Sequence, residues 1–123
     1  MNDGRKVLGT QAEKVAEQYL QGIGYRILER NVRSVRGELD LVAMHGETLV
    51  FCEVKSRQGT EGLHPGESIH VRKQSRLIRL AAGYLQRHPG YADLPCRFDA
   101  VLIWKTGPSW RVEVIADAFR PGW

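Results

Sequence analysis

Apolar residues recur along this chain with two different periods. Ala12, Val15, Ala16, Tyr19, Leu20 and Ile23 return every three or four residues, which predicts a helix from about Gln11 to Gln21. Thr10 and Glu13 fit a capping box at its start, each side chain satisfying a free backbone N–H. Gly22 and Gly24 end it, and Met1 to Gly9 reads as a flexible lead. A second helix is expected from Val71 to Arg87, stopped by Pro89. Its buried stripe is Leu77, Leu80, Ala81, Tyr84 and Leu85, and Arg72, Arg76 and Arg79 line the opposite face. Lys73 and Gln74 lie at the margins of the apolar side. They either point at something specific near the helix start or reach solvent from a frayed first turn.

Between and after these helices the pattern is that of strands. Tyr25 to about Arg30 is a short strand, followed by a polar connection, Asn31 to Arg36. Glu38–Met44 and Thr48–Ser56 form a hairpin closed by His45-Gly46. Arg97–Trp104 and Trp110–Ile115 are two more strands by their β-branched and aromatic content, joined through Gly107-Pro108. Ala116 to Trp123 is a terminal segment in which Phe119 docks on the core. The order is αβββαββ. The helix before the fourth strand is long enough to cross over the sheet, which makes the third and fourth strands parallel. A mixed α/β sheet with helices on its faces follows. Gln58 to Glu67, rich in glycine, reads as a mobile loop, either a flap over a substrate or a plain connection.

The hairpin carries the charges of greatest interest. Side chains on a strand alternate faces, so Glu38 shares a face with Asp40, and Glu53 with Lys55. A His45-Gly46 loop pairs Met44 with Glu47 and sets Asp40 opposite Phe51 and Glu38 opposite Glu53. Asp40 and Glu53 are then diagonal neighbours, roughly 7–8 Å apart. Three acids on one face call for positive charge. Lys55 supplies one, and a hard divalent cation, which prefers carboxylate oxygens, water and phosphates, would supply two. Two carboxylates and a lysine beside such a cation suit phosphodiester hydrolysis. A salt-bridge cluster at a sheet edge is the alternative.

At 123 residues the chain is expected to form a single domain. Its net charge of +4 is concentrated between Arg57 and His88, where six basic residues face two acidic ones. That excess suggests a polyanionic partner, and a solvated helix face is the bland competitor. No apolar run is long enough to span a membrane. Cys52 and Cys96 read as buried thiols, and with no signal-peptide pattern the expected location is the cytoplasm. Asp99 is read as a local salt bridge to Arg97, or else as part of a wider site.

Six segments together resemble a known pattern: G-T-Q-A-E (9–13), L-E-R-N (28–31), R-G-E-L-D-L (36–41), F-C-E-V-K-S-R (51–57), R-K-Q (72–74) and P-C-R-F-D (95–99). With the order αβββαβ they resemble the PD-(D/E)xK nucleases, which include restriction endonucleases and archaeal Holliday-junction resolvases. More closely, the chain resembles the bacterial YraN-like family. That resemblance implies a restriction-endonuclease-like core and a Mg²⁺- or Mn²⁺-dependent endonuclease acting on branched or single-stranded DNA in repair or recombination, with a homodimer as one arrangement. It implies Asp40 and Glu53 as metal ligands and Lys55 as the catalytic lysine. Glu13 sits where resolvase-like members place a further acid, Gln74 where some members place a glutamine, and Glu38 belongs to the G-E-x-D segment; Glu13 and Glu38 are the further candidate metal ligands. Arg72, Lys73, Arg76 and Arg79, with Arg33, Arg36 and Arg57 near the hairpin, are the candidate DNA contacts. The superfamily's proline is absent before Asp40. A nucleic-acid-binding or repair-complex module without cleavage is the second reading, and a structural or interaction protein is the third.

Overall fold

A computed structural model describes residues 4–58 and 71–120. The elements are α1 (Gly4–Gly22), β1 (Tyr25–Ser34), β2 (Gly37–His45), β3 (Thr48–Gln58), α2 (Val71–Arg87), β4 (Cys96–Thr106) and β5 (Ser109–Phe119), with a 3₁₀ turn at Pro89–Tyr91. The αβββαββ order is as expected. The strands form one mixed sheet in the order β1-β2-β3-β4-β5. β3 and β4 are parallel and the other neighbours antiparallel, as the long α2 crossover requires. Most of the loop expected at Gln58–Glu67 lies outside the described residues, as do Met1–Asp3 and the last three residues of the chain.

Each face of the sheet packs against one helix. Leu77, Leu80, Ala81 and Tyr84 of α2 pack with Val42, Leu49, Phe51, Phe98 and Phe119. Ala12, Ala16 and Leu20 of α1 pack with Leu41, Ala43, Val50, Cys52, Val101 and Ile103. Phe119 docks on the core as expected, but as the end of β5, because the terminal segment through Phe119 continues that strand.

Several expectations need correction. α1 begins at Gly4, so the lead from Gly4 to Gly9 is helical and Thr10 lies inside the helix. Thr10 therefore does not cap it, and Glu13 is not the partner in a capping box. Nothing lies within 4 Å of a Cβ built on Gly9, which marks it as a tolerated interior glycine. Tyr19 and Ile23, counted in the buried stripe, are 42% and 46% exposed. The stripe is the narrower set Ala12, Ala16 and Leu20, in which the two small alanines let the helix approach the sheet. β1 extends to Ser34, through most of the expected polar connection. It is an edge strand, and charged side chains such as Arg26, Arg30 and Arg33 remain in water there. Cys52 is buried as expected, whereas Cys96 is half-buried, and both are free thiols.

The hairpin loop is Gly46-Glu47, not His45-Gly46, so His45 pairs with Thr48 and Met44 with Leu49. Gly46 has φ +62, and a two-residue hairpin loop needs that left-handed conformation at its first position. Glycine adopts it without strain and histidine does not. Moving the loop by one residue shifts the pairing by two positions, so every side chain keeps its face.

At the end of the sheet near this loop, Asp99 is fully buried and takes four hydrogen bonds. Tyr25 Oη donates at 2.6 Å, Arg97 Nε at 3.0 Å, Arg97 Nη2 at 3.2 Å and the Asp117 N–H at 2.9 Å. Arg97 also reaches His45 Nδ1 at 2.8 Å, and the His45 ring stacks on Tyr25. The expected Arg97 salt bridge exists, but it belongs to a network joining β1, β2, β4 and β5. The Tyr25 hydroxyl is pushed up to about 12, first by burial and then by its bond to Asp99. Asp99→Ala removes the acceptor of the phenol and of the Asp117 N–H, and takes from the guanidinium its only carboxylate among the described residues. It is expected to cost about 3–5 kcal/mol. Urea unfolding checks this; a loss below about 1 kcal/mol, the value of a surface pair, would show that the network adds nothing.

Candidate functional site

β2 and β3 are hydrogen-bonded only as far as Leu41–Cys52, and beyond that pair they fork. The next positions, Asp40 and Glu53, therefore stand level with each other, closer than the diagonal relation expected from the sequence. β3 stays paired with β4 through the fork, with Glu53 beside Ala100 and Lys55 beside Leu102. The Val54 N–H has lost its β2 partner, and an unpaired buried N–H is costly. Asp40 Oδ2 accepts from it at 2.8 Å. A side chain thus continues the ladder that the backbone has left.

Asp40 sits in a demanding place. Its carboxyl is raised from 3.8 to about 8, first by burial and then by the charge of Glu53. The bond from Val54 opposes the rise, while Glu13 and a hydrogen bond with Glu53 add to it. Glu53 is itself almost fully buried. Its Oε1 is held by Lys73 Nζ from the first turn of α2. Of the two readings of Lys73, the structure gives the specific contact. Lys55 follows Glu53 by two residues on the same face of β3. Gln74 is half-buried beside Lys73 on α2.

The two remaining acids meet on Asn31. With its amide nitrogen turned to the carboxylates, Asn31 donates to Glu38 Oε1 at 2.7 Å and Glu13 Oε2 at 3.1 Å. Asn31 adopts φ 52, a left-handed conformation that asparagine tolerates better than most residues. Arg33 Nε lies 3.8 Å from Glu38 Oε2. The Glu13 carboxyl is raised by burial and by Glu38, against the Asn31 bond. Glu13 thus belongs to the electrostatic surroundings of Asp40, although α1 and β2 lie far apart in sequence. The L-E-R-N segment contained Asn31, but nothing in its local pattern indicated a bridge between two acids. Among the described residues, no group of three or more His, Cys, Asp or Glu side chains is gathered closely enough to hold a metal ion by itself.

Arg72, Arg76 and Arg79 are exposed together, as their spacing predicted. With Arg36 and Ser75 they line a groove of about 590 Å³. Arg36 and Arg79 also line an adjoining hollow of about 420 Å³ that runs on to Gln86 and Arg87. The basic track therefore follows α2 from its first turn to its last, with the β1–β2 turn as its other wall. Gly37, at φ +141, begins β2 close to α2: a Cβ built on it would lie 3.6 Å from the Arg76 stem and 3.5 Å from Leu80. A Cβ is disfavoured there by the backbone conformation. That close approach brings the track to the start of the strand bearing Asp40. Arg33 and Lys73 lie apart from this groove, each on an acid. The Arg57 side chain lies outside the described residues.

The raised Asp40 carboxyl has a consequence for stability. In the metal-free fold it holds a proton that the unfolded chain releases above 3.8. This contribution to stability is complete below 3.8 and is lost as pH rises through about 8. Asp40→Asn, which cannot ionise, should flatten that decline and make the metal-free protein the more stable of the two at alkaline pH. Urea unfolding across this range in chelator checks it, and parallel profiles for the two proteins would contradict it.

Together these features define a class: a mixed α/β domain whose sheet forks over two carboxylates and a lysine, beside a helix that presents an arginine groove. The chain belongs to the family described as "Uncharacterised protein family UPF0102", whose model matches residues 12–103. A UPF0102 protein of Magnetococcus marinus is 48% identical over 118 residues, covering 96% of this chain and 95% of that protein. One from Frankia casuarinae is 47% identical over 117 residues, covering 94% and 98%. Among solved structures, Archaeoglobus fulgidus Hjc, a Holliday junction resolvase, aligns at 20% identity and a TM-score of 0.44, covering 85% of this chain and 74% of its own. No helix among the described residues is long and apolar enough to cross a membrane.

Proposed function

We propose that this protein is a divalent-metal-dependent DNA endonuclease acting on branched or single-stranded DNA. The observation that carries this reading is the level placement of Asp40 and Glu53 at the fork, with Lys55 two residues further along the same strand face. A nearly buried Glu53 beside the half-buried Asp40 is a costly arrangement for stability alone, because like charges repel at close range. It suits a hard cation, which takes one or two carboxylates and completes its shell with water and phosphate. Asp40 and Glu53 would hold Mg²⁺ or Mn²⁺. When bound, the cation would polarise the scissile phosphate and lower the pKa of a water.

The chain's own residues do the rest. The Val54 N–H fixes the Asp40 carboxylate, and the β3–β4 pairing fixes Glu53 and Lys55. Lys55 orients the attacking water or steadies the charge of the transition state. Arg36, Arg72, Arg76 and Arg79 hold the strand through its phosphates, which sets position and carries no base sequence. A gel assay on linear, flap, single-stranded and four-way DNAs, with and without Mn²⁺, tests the reading. Metal-dependent cleavage that Glu53→Ala abolishes supports it. DNA binding without cleavage on every substrate would favour a binding module built on the same fold.

A further inference from the structure

The least expected contact at the fork is the one between Glu53 and Lys73. The lysine comes from α2, twenty positions along the chain, and its side chain is 34% exposed against 7% for Glu53. An exposed surface pair contributes little and gives way easily. This one differs because the carboxylate is nearly removed from water, so its charge needs a partner at close range. Lys73 is also the residue after Arg72, the first arginine of the groove. A lysine stem is flexible, so its ammonium can leave the acid without any movement of the backbone.

We propose that Lys73 is a built-in counter-ion which occupies the metal's electrostatic place on Glu53 and must be displaced when the cation binds. This rests on the reading of Asp40 and Glu53 as the metal pair. In the metal-free protein the Lys73 ammonium neutralises the Glu53 carboxylate and lets α2 close over β3. A divalent cation at the same carboxylate repels the ammonium, which turns toward the arginine track. There it adds one positive charge to the surface that meets phosphates. Metal binding therefore strengthens DNA binding, and by linkage DNA strengthens metal binding, because phosphates draw Lys73 away from Glu53. A lysine placed only to bind DNA would have no reason to rest on a buried acid. One placed only for stability would not need to follow directly on an arginine of the groove.

The test is Mn²⁺ affinity, measured by calorimetry without DNA, on wild type, Lys73→Met, Lys73→Arg and Arg76→Met. Lys73→Met is expected to bind Mn²⁺ about fivefold or more tightly than wild type, within the usual range of coupling between sites. Lys73→Arg keeps the pair and should stay near wild type. Arg76→Met removes the same charge one turn further on and controls for long-range electrostatics, so its gain should be clearly smaller. Removing Lys73 leaves Glu53 buried and unpaired, so the metal-free mutant should melt earlier and gain more in melting temperature from Mn²⁺ than wild type does. Equal or weaker Mn²⁺ binding by Lys73→Met, with wild type binding normally, overturns the counter-ion role and leaves the nuclease reading standing. Failure of all four proteins to take up Mn²⁺, with or without DNA, overturns the metal site itself.

Discussion

Lys55→Ala is expected to lower cleavage by about 10²–10⁴-fold, the usual contribution of a positioned acid–base or charge-stabilising group, with DNA binding nearly unchanged. The expectation follows from covalent geometry. Lys55 is two residues from Glu53 on one strand, so both side chains leave the same face of β3. That strand is held on its other side by β4, with Glu53 beside Ala100 and Lys55 beside Leu102, so the pair cannot slip relative to each other. The arginine groove lies on α2 and the β1–β2 turn, not on β3, so removing Lys55 leaves it in place. Single-turnover cleavage and equilibrium binding, measured on the same DNA, separate the two effects. A mutant that cuts at the wild-type rate would remove this lysine from the mechanism. A mutant that loses binding in proportion to cleavage would place it among the groups that hold phosphates.

Replacing Arg72, Arg76 and Arg79 together by alanine should weaken DNA binding severely and flatten its salt dependence. Every phosphate that is no longer neutralised lowers the slope of log affinity against log salt by about 0.7–0.9, so three of them lower it by roughly two or more. Folding should be little changed. The three side chains are exposed, alanine is a better helix former than arginine, and α2 is held by Leu77, Leu80, Ala81 and Tyr84 on the other face. Affinity measured at several salt concentrations decides the matter. An unchanged slope would mean that these arginines are a solvated face, and that the nucleic-acid surface lies elsewhere, with Arg33, Arg36 and Arg57 next in order.

The two effects have different origins in the chain. The Glu53–Lys55 relation was legible because it is local: a period of two is built into any strand. The outward arginines and the buried Leu77–Leu80–Ala81–Tyr84 stripe were legible for the same reason, at a period of 3.6. The extent of α2 was marked by Pro89 beyond its end. Even the parallel pairing of β3 with β4 was readable, because a long helical crossover leaves little else open.

What the chain did not reveal locally was where those local units meet. The fork after Leu41–Cys52 depends on β2 and β3 parting, while β3 stays paired with β4 and packed against α1. The one-residue move of the loop to Gly46-Glu47 sets Asp40 level with Glu53. Asn31 joins Glu13 of α1 to Glu38 of β2 through an edge strand longer than its polar composition suggested. Tyr25 and Asp99 are 74 residues apart and share a hydrogen bond that no periodicity anticipates. Lys73 faces Glu53 because α2 packs across the sheet at one particular height, set by the fit of Leu77 and Tyr84 against Phe51 and Phe98. The sequence by itself determined the elements, their faces and the candidate chemistry, since these depend on neighbours along the chain. The tertiary structure alone decided which carboxylates share a site and which lysine neutralises them, because charge and burial act through space.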